Sequence, residues 1–305
     1  MQRRRIWILV SLLATLLLAC TRDMGGLLGL LQGVLEEGTA PAPGADMSVV
    51  ALDIGQGDAI LIISPDGRTM LVDGGNSSRD AEQVILPYLH EHGFERLDVM
   101  VLTHPDADHV GGLPTVLRSI PVGVVVSTGQ LHTTQIYQEF LEEVRNARDR
   151  SGTQVIRGVA GADIPFDPAV SVEVVGPSME AIEGEDKNNA SIVLRISYGE
   201  FNVLLTGDAE LEEEGWMLDQ GYDLEAEVLK VSHHGSNTAS GKDLLDAVNP
   251  EIALISVGAN NQYGHPHREV LDRLRARGIE IYRTDLQGTI EVVTDGVEYW
   301  VYTER

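Results

Sequence analysis

The chain of 305 residues carries 22 Lys and Arg against 47 Asp and Glu, a formal net charge of −25. With 43% hydrophobic residues it is apolar enough to bury a large core, which excludes disorder driven by high charge and low hydrophobicity. The carboxylate excess also excludes the broad basic footprint of a protein that coats a nucleic-acid backbone, so any phosphate chemistry must be local. Arg3, Arg4 and Arg5 leave the rest of the chain more acidic still, and Lys187, Lys230 and Lys242 are its only lysines.

Cys20 is the single cysteine, which rules out an intramolecular disulfide or a cysteine-rich zinc site. It follows an apolar run over residues 6–19, shorter than the roughly 20 residues a membrane-spanning helix needs but suited to a secretory signal. The sequence Leu17-Leu18-Ala19-Cys20 resembles a bacterial lipobox, so residues 1–19 are expected to be a lipoprotein signal peptide and Cys20 a lipidated N-terminus anchored to a membrane of the cell envelope. Residues 20–46, rich in Gly, Leu, Ala and Pro, are expected to form a flexible tether. Residues 47–305 then form one domain, or a tightly fused pair of similar halves.

Short apolar runs open the domain: Val49 to Ile54, Ala59 to Ile63 and, after a turn at Pro65-Asp66-Gly67, Thr69 to Val72. They predict an antiparallel sheet. Asp80 to His92 has helical periodicity and stops at Gly93, and Leu97 to Leu102 is a fully apolar strand running into Thr103-His104. Gln135 to Arg150 predicts an amphipathic helix, Ile192 to Ser197 and Phe201 to Leu205 a hairpin, and Glu227 to Val231 a strand. Glu269 to Arg277 reads as a helix, followed by strands at Glu280 to Arg283, Thr289 to Thr294 and Val297 to Tyr302. Two sheets covered by helices follow, a layered α/β arrangement.

Chemistry concentrates where strands end. His104-Pro105-Asp106-Ala107-Asp108-His109 packs four N or O ligands into one loop, and imidazole with carboxylate suits Zn, Mn or Fe. Asp208 follows the strand Val203-Leu204-Leu205, His233-His234 follows Val228 to Val231, and His265 and His267 flank Pro266. Consecutive side chains at a strand end tend to face opposite ways, so one of His233 and His234 is expected to be a ligand, with His234 preferred. His90 and His92 read as solvated, His132 as a loop residue and His267 as a cap for the helix that follows it. Asp58 follows Gly55-Gln56-Gly57, which lacks the Lys of a phosphate loop and reads as a tight turn beside the ligands.

Together these motifs resemble the metallo-β-lactamase superfamily, and more closely its ComEC-like branch of DNA-uptake hydrolase domains. The resemblance rests on Asp53-Ile54-Gly55-Gln56-Gly57-Asp58-Ala59, Val72-Asp73-Gly74-Gly75, the loop from His104 to Gly112, Asn188-Asn189-Ala190-Ser191, Leu205-Thr206-Gly207-Asp208, His233-His234-Gly235-Ser236 and Tyr263-Gly264-His265-Pro266. It implies an αββα sandwich with two divalent metal ions, Zn or Mn, at one edge. His104 and Asp106 would hold one ion, Asp108, His109 and His234 or His233 the other, and Asp208 would bridge.

The resemblance further implies that Asp73 orients a ligating histidine from behind, that Asp58, Asn189 and Ser191 stand just outside the ligands, and that Asp108 and His265 take part in catalysis. Asp106 stands where many members have histidine, and Asn189 or Ser191 lies near where another is usually found, a shift from nitrogen to oxygen. The implied activity is metal-assisted hydrolysis of a phosphodiester, DNA among the candidates, by an ion-activated water. Hydrolysis of a small or envelope-linked ester and a non-catalytic, lipid-anchored accessory role stand as alternatives. No protein partner is expected.

Overall fold

Near-continuous apolar runs bury the central strands on both faces, successive side chains pointing to opposite sides, and the layers follow from that. In a computed structural model, which describes residues 46–305, the first sheet holds β1 (Met47–Ala51), β2 (Ile60–Ile63), β3 (Thr69–Val72), β4 (Leu97–Leu102), β5 (Val122–Ser127), β6 (Gln154–Arg157), β13 (Ile290–Thr294) and β14 (Tyr299–Thr303). The second holds β7 (Ser171–Gly176), β8 (Val193–Tyr198), β9 (Phe201–Leu205), β10 (Val228–Lys230), β11 (Ile252–Ile255) and β12 (Glu280–Arg283). Their spatial orders are β14-β13-β1-β2-β3-β4-β5-β6 and β12-β11-β10-β9-β8-β7. The expected signal peptide, Cys20 and nearly all of the tether lie outside the described residues.

Three apolar layers separate four layers of structure. Val49, Ile60, Met70, Val99 and Val101 of the first sheet meet Leu194, Val203, Leu205, Val228 and Leu254 of the second. Alternate residues of the same strands, Val50, Leu61, Leu71 and Met100, pack outward on Leu113 and Val116 of helix Leu113–Ser119 and on Tyr137, Phe140 and Val144 of helix Gln135–Ser151. On the far side Leu204, Leu229 and Ala253 pack on Met217, Leu244 and Val270 from three further helices. The result is the expected αββα sandwich. Cutting Phe140 back to Ala would open a cavity in the second of these layers and cost about 3–5 kcal/mol.

The expected antiparallel order holds for β1, β2 and β3, whereas β3, β4, β5 and β6 run parallel, as do β9, β10, β11 and β12. Long connections, most of them carrying helices, make the parallel pairing possible. The first strand stops at Ala51 rather than Ile54, because Leu52 N–H donates to Ala59 and the chain leaves the sheet in a loop. The helix expected at Asp80 to His92 runs from Ser78–Asp80 through a π-type segment, Ala81–Ile85, to Leu86–Glu91. The sequence patterns do not predict strands β5, β6, β7 and β11 or helices Leu113–Ser119, Leu211–Gln220 and Lys242–Val248, since these short segments carry weak periodicity.

Candidate metal centre

Parallel strands bring their C-terminal ends to one edge, where ligands of open α/β sheets commonly sit. From the first sheet, β3 delivers Asp73 and β4 delivers His104 and the loop to His109; from the second, β9 delivers Asp208, β10 delivers His233 and His234, and β11 delivers Ser256. Asp106 starts the short helix Ala107–Val110, which turns Asp108 and His109 back toward the same point.

The Asp208 carboxylate is the hub. One of its oxygens, Oδ2, lies 3.3 Å from His109 Nε2, 3.6 Å from His234 Nε2, 3.8 Å from His233 Nε2 and 3.9 Å from His104 Nε2. Asp108 Oδ2 is 3.3 Å from His234 Nε2, and Asp106 Oδ2 is 3.8 Å from His104 Nε2. The Nε2 atoms of His104, His109 and His234 and Oδ1 of Asp208 are all buried without a hydrogen-bond partner. Buried polar atoms are almost always satisfied, so four orphans converging on one point fit a cation bound among them. Two overlapping sets, His104 with His109 and Asp208, and Asp108 with His109 and His234, each bring their ligand atoms within 4.8 Å of one another.

The surrounding shell explains why those nitrogens face inward. Asp73 Oδ2 lies 2.7 Å from His109 Nδ1, while its two oxygens also accept from Thr103 N–H (2.8 Å) and Thr103 Oγ1 (2.6 Å). With Nδ1–H donating to Asp73, His109 keeps its Nε2 lone pair for the centre. The Ser256 carbonyl does the same for His234 Nδ1 at 2.9 Å, and Glu210 Oε1 for His233 Nδ1 at 3.0 Å. Asp58 stands 3.4 Å behind His234 Nδ1 and is itself held by Lys230 Nζ at 2.7 Å. Gly57 sits directly against the Asp108 carbonyl, where a Cβ would collide, and Asp58 N–H donates to that carbonyl at 3.1 Å, so the Gly-rich turn lies beside Asp108.

Charge sorts the imidazoles. Burial, reinforced by the charge of His109, pushes His104 down to about 3. Burial also works against a charged His234, but Asp208 and Asp58 outweigh it and raise that ring to about 10, so a cation that takes its Nε2 lone pair must displace a proton. Asp108 is likewise opposed by burial, yet the close approach of His234 and the charge of His109 bring it down to about 2. Burial and the nearby Asp108 raise Asp106.

Several expectations need correction. His233 and His234 do not point to opposite sides: both occupy left-handed backbone, φ 48° and 53°, which breaks strand alternation and turns both rings toward Asp208. They differ instead in burial, His234 being enclosed and His233 partly open. Asn189 does not face the centre, because its amide oxygen accepts from Glu210 N–H (3.0 Å) and Glu213 N–H (3.4 Å) at the start of helix Leu211–Gln220. Ser191 acts on Asp208 through the backbone, accepting from its N–H at 3.1 Å. His267 stands at the start of its helix without capping it; its Nδ1 accepts from Asn237 N–H. His132 is in a loop as expected, but its Nε2 comes within 4.0 Å of Asp106. His90 and His92 are exposed.

His265 lies at the rim, its ring 5.5 Å from that of His233 and 6.4 Å from that of His234, with Nδ1 unpartnered. Burial and the charge of His233 lower it to about 4. Sequence reasoning missed Thr103, Glu210, Ser256 and the role of Lys230. Only the last left a signal, a lone cation inside the apolar strand Val228-Leu229-Lys230-Val231.

Residues 52–259 match the Metallo-beta-lactamase superfamily. The chain is similar to ComE operon protein 3 of Bacillus subtilis (33% identity over 82% of this chain and 33% of the relative) and to Competence protein ComA of Neisseria gonorrhoeae (34% over 93% and 38%). It thus spans about a third of the length of these curated relatives. Among solved structures, a CmlA beta-hydroxylase mutant superposes with a TM-score of 0.53 at 12% identity, covering 89% of this chain and 60% of that one, a likeness of fold alone. With the four-layer sandwich, the His/Asp cluster at the strand ends and a match across most of the domain, the chain belongs to the metallo-β-lactamase superfamily.

Proposed function

We propose that the chain is a metal-dependent phosphodiesterase acting on nucleic acid, a ComEC-like nuclease held at the extracytoplasmic face of the envelope by lipid on Cys20. The observation that carries the reading is the convergence of three unpartnered imidazole nitrogens and Asp208 at one buried point. His104 and Asp106 would hold one divalent ion, Asp108, His109 and His234 the second, and Asp208 would bridge them. Such ions supply Lewis acidity and activate water for attack on phosphorus. Three carboxylates among the donors favour Mn relative to an all-imidazole set.

The protein's own groups do the rest. Asp73 and the Ser256 carbonyl fix the ring orientation of His109 and His234, and Lys230 keeps Asp58 anionic behind His234. His265, at the rim with its ring 5.5 Å from that of His233, would stand beside a phosphate or departing oxygen held at the centre. The competence names of the relatives favour a nucleic-acid substrate over a lactam, and the Leu17-Leu18-Ala19-Cys20 motif supports the envelope address.

The test incubates purified protein with Mn or Zn, single-stranded DNA and bis-p-nitrophenyl phosphate. Metal-dependent cleavage of both is expected. Ester cleavage without DNA cleavage would sink the nuclease reading, and bound metal without turnover of either would favour the accessory role.

A further inference from the structure

Beside Asp108 opens a cleft of about 320 Å³, within the size range of small-ligand sites, lined by Gln56, Asn76, Ala107, Asp108, Asn261, Gln262 and Tyr263. Its chemistry is unlike that of a phosphate channel. Asp108 is the only charged residue in the lining, no Lys or Arg contributes, and four residues carry side-chain amides. Tyr263 is 54% exposed. Its ring lies 5.7 Å from that of His265 at an interplanar angle of 25°, so a stacked pair leads from the cleft to the imidazoles.

The amides divide into two kinds. Asn261 is spent inside its own loop: its Nδ2 donates to Gly258 and His265 carbonyls, and its Oδ1 accepts from Tyr263 and His265 N–H groups. That network fixes the Tyr263–His265 stack. Gln56 is anchored by Gly258 N–H on its Oε1, which leaves its buried Nε2 without a partner. Asn76 and Gln262 are exposed at the cleft with no side-chain hydrogen bond.

We infer that this cleft is a nucleobase subsite, in which Tyr263 stacks a base and the exposed amides of Asn76 and Gln262 meet its edge while the adjoining phosphodiester lies at the Asp108 side. The inference rests on the phosphodiesterase reading and names its substrate as single-stranded or frayed nucleic acid, since a base stacked within a duplex has no free face to offer Tyr263. Aromatic stacking tolerates any base, and side-chain amides match the donor and acceptor edges of bases. It also eases the charge problem: a chain of net charge −25 offers little grip on a polyanion's backbone away from a bound cation, but it can hold one by its bases.

The experiment measures equilibrium binding of the full, metal-loaded chain to an uncleavable phosphorothioate dT oligomer and to an abasic oligomer of equal length and charge. Binding to dT should be at least about tenfold tighter, the scale of stacking on one aromatic ring. Tyr263→Ala should abolish that difference and Tyr263→Phe should keep it. Affinity for dT should be flat or rise with salt, opposite to a site that works by releasing counterions. Equal affinity for the two oligomers, no binding of either, loss of binding to both in Tyr263→Ala, or preference for a neutral oligosaccharide would each overturn the inference. Because the readout is binding, preference for dT over the abasic oligomer together with no metal-dependent cleavage of ordinary phosphodiester single-stranded DNA would sink the nuclease reading and leave the base subsite standing.

Discussion

Replacing Lys230 by Met should cost this protein more stability than any other single lysine substitution. Lys230 is fully buried in β10, its Nζ lying 2.7 Å from Asp58 Oδ2 and 3.0 Å from the Val231 carbonyl. Asp58 is only 2% exposed, and its Oδ1 has no hydrogen bond. Without Lys230 the carboxylate keeps a longer contact, His234 Nδ1 at 3.4 Å, and that nitrogen is already engaged with Ser256. Breaking a buried ion pair by removing one partner costs about 3–5 kcal/mol, because the other charge stays behind unpaired. Against a typical total of about 5–15 kcal/mol this is a large fraction, and urea unfolding of the metal-loaded protein would show it as a lower midpoint at unchanged slope. In the double variant Lys230→Met with Asp58→Asn neither charge remains, so its loss should be well below the sum of the two single losses, a coupling of about 1 kcal/mol or more. A Lys230→Met loss under about 1 kcal/mol, or additive single losses, would refute the reasoning.

Asp73→Asn should weaken metal binding about 10–100-fold, read by competition with a chromogenic chelator, since it disturbs the group that orients His109 without removing a ligand. Asp208→Asn should weaken it further, and full activity in that protein would refute the hub assignment. Chelation of the holoprotein should lower its thermal midpoint, with metal at 100 times its dissociation constant contributing about 2.7 kcal/mol. Burial raises Glu214 to about 7 from an ordinary 4.5, despite its bonds from Ser240 and Gly241 N–H. The folded state therefore binds the proton more tightly, so this contribution is complete below pH 4.5 and is lost as pH rises through 7, by about 3 kcal/mol at most. Unfolding measured from pH 4.5 to 8 should show that loss in the wild type and not in Glu214→Gln. His233→Gly should be more stable than His233→Ala by about 1 kcal/mol, the reverse of their order in a helix, because φ 48° penalises a Cβ; Ala equal to Gly in a denaturant series would refute the backbone argument.

The sandwich and the His/Asp cluster at its edge are legible in the sequence because both are written in short-range patterns. Apolar strands that run directly into His, Asp or Gly, as at Leu102-Thr103-His104 and Leu205-Thr206-Gly207-Asp208, mark the strand ends where a parallel sheet collects its ligands. What stayed illegible depends on long-range contacts. Nothing near Lys230 shows that Asp58 will lie against it, and nothing near Asn189 shows that its amide will be consumed by the start of helix Leu211–Gln220. The parallel pairing of β3 with β4 and the unanticipated β11 have the same origin, since each is fixed by partners distant in sequence.

The misjudged histidine pair shows a different limit, and a physical rule behind it. Alternation assumes extended backbone, and the chain abandons it at His233 and His234, as it does at Asp73, where φ is 62°. Among the described residues, three of the six non-glycine positions with positive φ are thus groups of the candidate centre. Each such conformation costs on the order of 1–3 kcal/mol and persists only where surrounding contacts hold it. Here those contacts are visible: Thr103 and His109 on Asp73, Glu210 on His233, and Ser256 on His234. The strain and the shell that holds it belong together, because an extended strand end could point only one of two adjacent imidazoles at Asp208, whereas a left-handed turn points both.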